Sequence, residues 1–234
     1  MADQIRERLA RVREQIARAA ERAGRSVEDI TLIAVSKTFD SATVQRAVDA
    51  GARDFGENRV QEAIAKVGVI KGNVRWHLIG HLQSNKARQA IEAFDVIHTI
   101  DSSQLAERLN RIAGEVARKP AVLAQVDLAH EQTKSGADEN ELPAIVEALD
   151  SSPNLEFRGL MTLPPFFDSP EQTRPYFRRL REILEGLNRG RQPEQKLTEL
   201  SMGMTNDFEV AIEEGATMVR VGTAIFGKRV SVIK

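Results

Sequence analysis

Eight short apolar runs separated by helix-length segments constrain this chain more than any other feature. The runs fall at 30–36, 53–56, 75–79, 95–99, 121–127, 155–160, 197–201 and 217–221. Between them, helical patterning covers stretches near 41–50, 58–67, 84–93, 102–117, 138–149, 170–188 and 205–214. A strand buried on both faces reads as a continuous apolar run, which is what a parallel sheet covered by helices requires. Strict alternation of the two patterns predicts an α/β fold. Eight repeats match a (β/α)8 barrel; a doubly wound open sheet is the alternative, because alternation by itself does not decide closure. One element precedes the repeats. Ile5, Leu9, Val12, Ile16 and Ala20 share one face of an extra N-terminal helix that Gly24 can end. Asp101-Ser102-Ser103 and Ser41 are of the types that start helices. No linker or compositional break divides residues 1–234, so a single domain is expected, and Pro164 to Pro170 reads as a structured loop.

Composition removes several functional classes. A net charge of −1, with 29% charged residues, lacks the basic excess of a dedicated nucleic-acid binder. No apolar run approaches the roughly 20 residues needed to cross a bilayer. The first segment is amphipathic and arginine-rich, yet Asp3, Glu7, Glu14 and Glu21 do not suit a transit peptide. Zero cysteines exclude disulfides, iron–sulfur clusters and cysteine-ligated zinc. A cytoplasmic location is the expectation.

In a parallel barrel, chemistry gathers at the C-terminal ends of the strands. Here those ends carry Lys37-Thr38, Glu57-Asn58-Arg59, Gly80-His81, Asp101, Asp127, Met161-Thr162, Ser201-Met202-Gly203-Met204 and Arg220 to Thr223. Lys37 closes the run Thr31 to Ser36, where partial desolvation would make an amine nucleophilic; the alternative is a lysine that snorkels into water. Two small-residue loops follow the last two strands, at Ser201 to Asp207 and Val221 to Gly227, where barrel enzymes often bind phosphate. Gly222 would let amides approach an anion, and Ser201 and Thr223 would add hydroxyls; otherwise these are tight turns with capping residues. Arg220 is either a cation facing the site or a partner for acids such as Glu213 and Glu214. His77 and His81 stand four apart without the glutamate of a helical zinc motif, so packed histidines are expected. Lys134 reads as a surface lysine that could reach the same mouth, and Arg178, Arg179 and Arg181 as the wet side of a long helix. No nucleophile elbow, Walker loop or dinucleotide fingerprint is present.

A lysine ending the first strand, a phosphate cradle after the seventh and eighth, and an arginine in the eighth suggest pyridoxal 5′-phosphate (PLP). The matching stretches are Ala34 to Thr38, Phe55 to Glu62, Trp76 to Lys86, Lys134 to Gly136, Gly159 to Thr162, Leu200 to Thr205 and Val219 to Gly227. In these the chain resembles the YggS/PROSC family of PLP-homeostasis proteins, relatives of the N-terminal barrel of alanine racemase. The resemblance implies a barrel of that type, with Lys37 as the Schiff-base lysine and Asn58 beside the cofactor. It puts Ser201, Met202, Gly222 and Thr223 on the phosphate and Arg220 at the ring nitrogen. It further implies a monomer that binds PLP, serves vitamin B6 balance, passes the cofactor to PLP-accepting apo-enzymes and has no established turnover. The alternative is a PLP-dependent amino-acid racemase or lyase. The residues favour the carrier, because an arginine at the pyridine nitrogen weakens the ring as an electron sink. The single tyrosine, Tyr176, lies on a helical stretch away from the strand ends.

Overall fold

A computed structural model describes residues 2–129 and 135–227, so Lys134 lies outside the described residues. The eight expected strands are present as β1 (Thr31–Val35), β2 (Asp54–Glu57), β3 (Arg75–Leu78), β4 (Val96–Ile100), β5 (Ala121–Val126), β6 (Glu156–Thr162), β7 (Glu199–Met204) and β8 (Met218–Val221). They pair in chain order, all parallel, and β8 returns to β1. Closure rules out the open sheet. The helices are α1 (Ala2–Arg22), α2 (Ser41–Asp49), α3 (Val60–Val67), α4 (Ala87–Ala93), α5 (Ser103–Glu115), α6 (Leu142–Asp150), α7 (Arg174–Leu187), α8 (Phe208–Glu213) and α9 (Thr223–Phe226). The first is the extra element. Its stripe of Ile5, Leu9, Val12, Ile16 and Ala20 is buried against α2, α8 and α9, and Gly24 follows with φ 64°. Ser102 caps α5 by accepting from Leu105 N, and Asp40, one residue before Ser41, caps α2 by accepting from Thr43 N.

Alternation along each strand sorts the interior into two chemistries. Ala34, Phe55, Trp76, Leu78, Ile97, Val122, Ala124, Leu160, Leu200, Met202, Val219 and Val221 belong to the large core between sheet and helices. Their neighbours of opposite parity point inward. Ile33, Leu123, Met161 and Met218 form a separate small apolar cluster. The remaining inward positions include Asp54, His77, His98, Ser201 and Arg220, of which the last four are buried. Part of the barrel interior is thus polar.

The strand ends differ from expectation mainly at β7, which continues three residues beyond Ser201 to Met204. Gly203 makes this extension possible. Its φ is +89°, and a Cβ there would approach Ala211 Cβ to 2.5 Å and Phe208 Cα to 2.9 Å. Only glycine tolerates both the conformation and the crowding.

Candidate functional site

A cavity of about 660 Å³ opens at the C-terminal mouth of the barrel, within the range of small-molecule sites. Val35, Phe39, Ile79, Leu163 and Phe167 give it apolar walls, and Lys37, Asn58, Thr205, Arg220 and Thr223 supply its polar groups together with the backbone of Gly222. Asp207 is the one acid among the lining residues, against two cations. Pro164, Phe166 and Phe167, from the expected structured loop, form one side of the mouth.

Lys37 is half-buried on the turn that follows β1. The turn is tight: Phe39 N donates to Ser36 O, and Thr38 has φ 70°, a strained value for a β-branched residue. Helix α3 grips it from outside the barrel. Glu62 accepts from Thr38 N at 3.1 Å, and Lys66 Nζ donates to Ser36 O at 2.9 Å. The same ammonium contacts Glu57 Oε1 at 2.6 Å, and that oxygen also accepts from the Ser36 hydroxyl at 2.6 Å. This ion pair is buried, and Glu57 Oε2 has no hydrogen-bond partner among the described residues. Burial pushes the Glu57 carboxyl up, against the pull of Lys66 and Ser36. Asn58 follows directly. Its backbone is pressed so closely against Gly80 that a Cβ there would come within 2.3 Å of Asn58 O.

Arg220 enters from β8, the strand beside β1, and is almost fully buried. It pairs with neither Glu213 nor Glu214, which bind Arg22, Arg174, Arg178 and Arg181. Its Nη1 donates to Ser201 Oγ at 2.5 Å and its Nη2 to Thr162 O at 2.8 Å. Burial lowers the guanidinium to about 10, so it stays cationic at neutral pH. Burial also raises the Asp207 carboxyl, whose Oδ1 accepts from Met204 N.

The expected site residues therefore divide. Lys37, Asn58, Arg220, Gly222 and Thr223 meet in the cavity, whereas Ser201 and Met202 do not line it. Ser201 faces the barrel interior, and Met202 has the opposite parity and packs in the large core. The extension of β7 moves the lining role to Met204, Thr205 and Asn206. Thr205, in the loop Ser201 to Asp207 but given no role from sequence, carries a hydroxyl two residues past Gly203, and its Oγ1 accepts from Gly222 N at 3.2 Å. His77 is packed, as expected, and His81 is exposed beside Asp101 at 3.3 Å. Among the described residues no three potential ligands gather to hold a metal ion. Nor is any described helix long and apolar enough to cross a membrane. Tyr176 does not line the cavity; it stacks against Phe167, with ring centroids 6.0 Å apart.

The profile of the family described as "Alanine racemase, N-terminal domain" matches residues 8–230. A pyridoxal phosphate homeostasis protein of Aquifex aeolicus is 42% identical over 224 residues, 95% of this chain and 97% of its own. One from Pseudomonas aeruginosa is 43% identical over 226 residues, 96% of each chain. Among solved structures, PipY of Synechococcus elongatus with PLP bound superposes with a TM-score of 0.85 at 44% identity, covering 96% of this chain and 100% of that one. An alanine racemase of Clostridium difficile shares the fold, with a TM-score of 0.72 at 18% identity over 98% of this chain and 61% of its own.

Proposed function

This chain belongs to the family of pyridoxal phosphate homeostasis proteins, built on the alanine racemase N-terminal domain, and from that premise we propose that it binds PLP and serves its supply. The observation that carries the proposal is the meeting of Lys37, Arg220 and the Gly222–Thr223 segment in one cavity. The donor set suits this cofactor. When bound, PLP supplies an aldehyde that condenses with a primary amine, an aromatic ring nitrogen and a phosphate dianion. Lys37 offers the amine from the β1 wall, and Arg220 offers a fixed cation to the ring nitrogen. Gly222 N, Thr205 and Thr223 would hold the phosphate. Thr205 Oγ already occupies an acceptor position at the Gly222 amide, which is where a phosphate oxygen would sit. Gly222 is informative for a second reason. A Cβ there would meet only Val35, at 3.4 Å, so the backbone of Gly222 stands open to the cavity. A glycine there leaves room for a ligand to approach the amide.

We infer a carrier rather than a catalyst. Racemisation needs an acid/base on each side of the reacting carbon, and the only tyrosine is one residue removed from the cavity, behind Phe167. The arginine at the ring nitrogen opposes ring protonation and so the stabilisation of carbanions. The proposal extends to one cofactor-binding domain over residues 1–234, a cytoplasmic monomer, and transfer to PLP-accepting apo-enzymes. Borohydride treatment of PLP-loaded protein, followed by peptide mass spectrometry, tests the site. The pyridoxyl adduct should lie on Lys37, and an adduct chiefly on another lysine overturns the assignment. Incubation with a panel of L-amino acids tests the carrier reading, which loss of chirality at enzymatic rates would sink.

A further inference from the structure

We infer that Ser201, His98 and His77 are positioning residues for Arg220, forming a one-way hydrogen-bonded relay that crosses the barrel interior and ends on Asp54. What Arg220 meets in the cavity rests on the PLP reading; the relay is built from this chain's own residues. Its contacts are continuous. Arg220 Nη1 lies 2.5 Å from Ser201 Oγ, which lies 2.8 Å from His98 Nδ1. His98 Nε2 is 2.9 Å from His77 Nδ1, and His77 Nε2 is 2.9 Å from Asp54 Oδ1. Arg75 Nε closes the far end on the same carboxylate oxygen at 2.5 Å.

The two ends fix the direction. A guanidinium only donates, so Ser201 Oγ accepts from Arg220 and has one proton left to give. The neighbour placed to take it is His98 Nδ1. That assigns the His98 ring proton to Nε2, which donates to His77 Nδ1. His77 in turn carries its proton on Nε2 and donates to Asp54, which as a carboxylate only accepts. Every link is satisfied once, and the reverse direction is unavailable because Arg220 cannot accept. Both rings must be neutral for the chain to hold, and burial lowers both, His98 well below its ordinary value with His77 and Arg220 adding to the effect. Asp54 stays below the ordinary carboxylate range because the bonds from His77 and Arg75 outweigh burial.

Two consequences follow for the cavity. The guanidinium is tied at both Nη atoms, to Ser201 and to Thr162 O, so its plane is set before any ligand arrives. The Ser201 proton is committed to the relay and is not offered to an anion.

The relay is tested on wild-type protein without PLP by nitrogen-edited NMR of the histidine rings at neutral pH. His98 and His77 should each carry one proton, on Nε2; a proton on Nδ1 of either ring, or on both nitrogens, overturns the relay. A second arm uses ligand affinity. Ser201→Ala should weaken PLP and pyridoxal by the same factor, about tenfold, since it acts through the ring-side arginine. Loss confined to PLP would make Ser201 a phosphate ligand, and no loss for either ligand would remove its positioning role; both outcomes overturn the relay. His98→Phe should reproduce the Ser201→Ala loss and shift the absorption band of bound PLP. His98→Gln should restore both, because the amide accepts through its oxygen and donates through its nitrogen; equal behaviour of the two variants overturns the relay. Failure of the PLP reading looks different: wild type would bind neither ligand while the Nε2 protons remained in place.

Discussion

Lys37 and Arg220 share one cavity but are supported from opposite sides of the barrel wall. Lys37 sits on a rim turn held from outside by α3 through a buried ion pair, a carboxylate contact to Thr38 N and a residue with positive φ. Arg220 projects from the middle of a strand and is held from inside by neutral, fully satisfied groups. The first support is charged and leaves Glu57 Oε2 without a partner; the second leaves nothing over. On the proposed reading, Lys37 would meet and release an aldehyde on a support that can give, and Arg220 would orient a ring from a fixed one.

The comparison breaks first at the ion pair. Lys66→Met strands the buried Glu57 carboxylate and should cost about 3–5 kcal/mol in urea unfolding, while the double replacement Glu57→Leu with Lys66→Met recovers most of it. A single-variant loss below about 1 kcal/mol would show that the outer support is not carried by this pair. On the Arg220 side, Gly222→Ala should leave unfolding within about 1 kcal/mol of wild type. PLP should weaken at least about tenfold, with pyridoxal unchanged in the same titration. Equal weakening of both would place the Gly222 amide away from the phosphate.

Acid sharpens the contrast next. The unfolded chain protonates each histidine near 6.5, whereas the folded chain holds His77 and His98 neutral to lower pH. The unfolded state therefore binds more protons below 6.5, and stability falls as pH drops from that value toward the folded-state ones. His98→Gln should remove one proton from this slope, about 1.4 kcal/mol per pH unit, in denaturation curves compared between pH about 6 and 5. An unchanged slope would mean that His98 is protonated in the fold. The smallest effect is at the rim. Thr38→Gly relieves the left-handed β-branched residue but adds unfolded-chain entropy, for a net gain of about 0.5–1 kcal/mol. A loss of stability would show that the turn is not strained.

Most of the fold was legible because apolar residues concentrate in eight short runs separated by helix-length segments, even though runs such as 53–56 and 155–160 also carry polar residues. The misplacement at β7 had a physical cause. Ser201, Gly203 and the polar residues beyond them look like a loop, yet Gly203 carries the strand onward with a positive φ. The strand end moves three residues onward, so Thr205 and not Ser201 lines the cavity. Lys37, Arg220 and Gly222 were legible because each stands at or beside a strand end. The relay was not, since Asp54, His77, His98 and Ser201 lie on four different strands and only barrel closure brings them into line. The buried Lys66 was hidden for a related reason, as a lysine in an amphipathic helix reads as solvated until its partner Glu57 is placed across from it.

The bond from Gly222 N to Thr205 Oγ1 gives the cavity a built-in competitor. An anion arriving at that amide exchanges one oxygen acceptor for another, so the gain is the difference between two hydrogen bonds and not the whole of one. On departure the threonine hydroxyl returns to the amide, and no buried donor is stranded along the way. Affinity for an anion at this amide is therefore moderated by the bond it displaces.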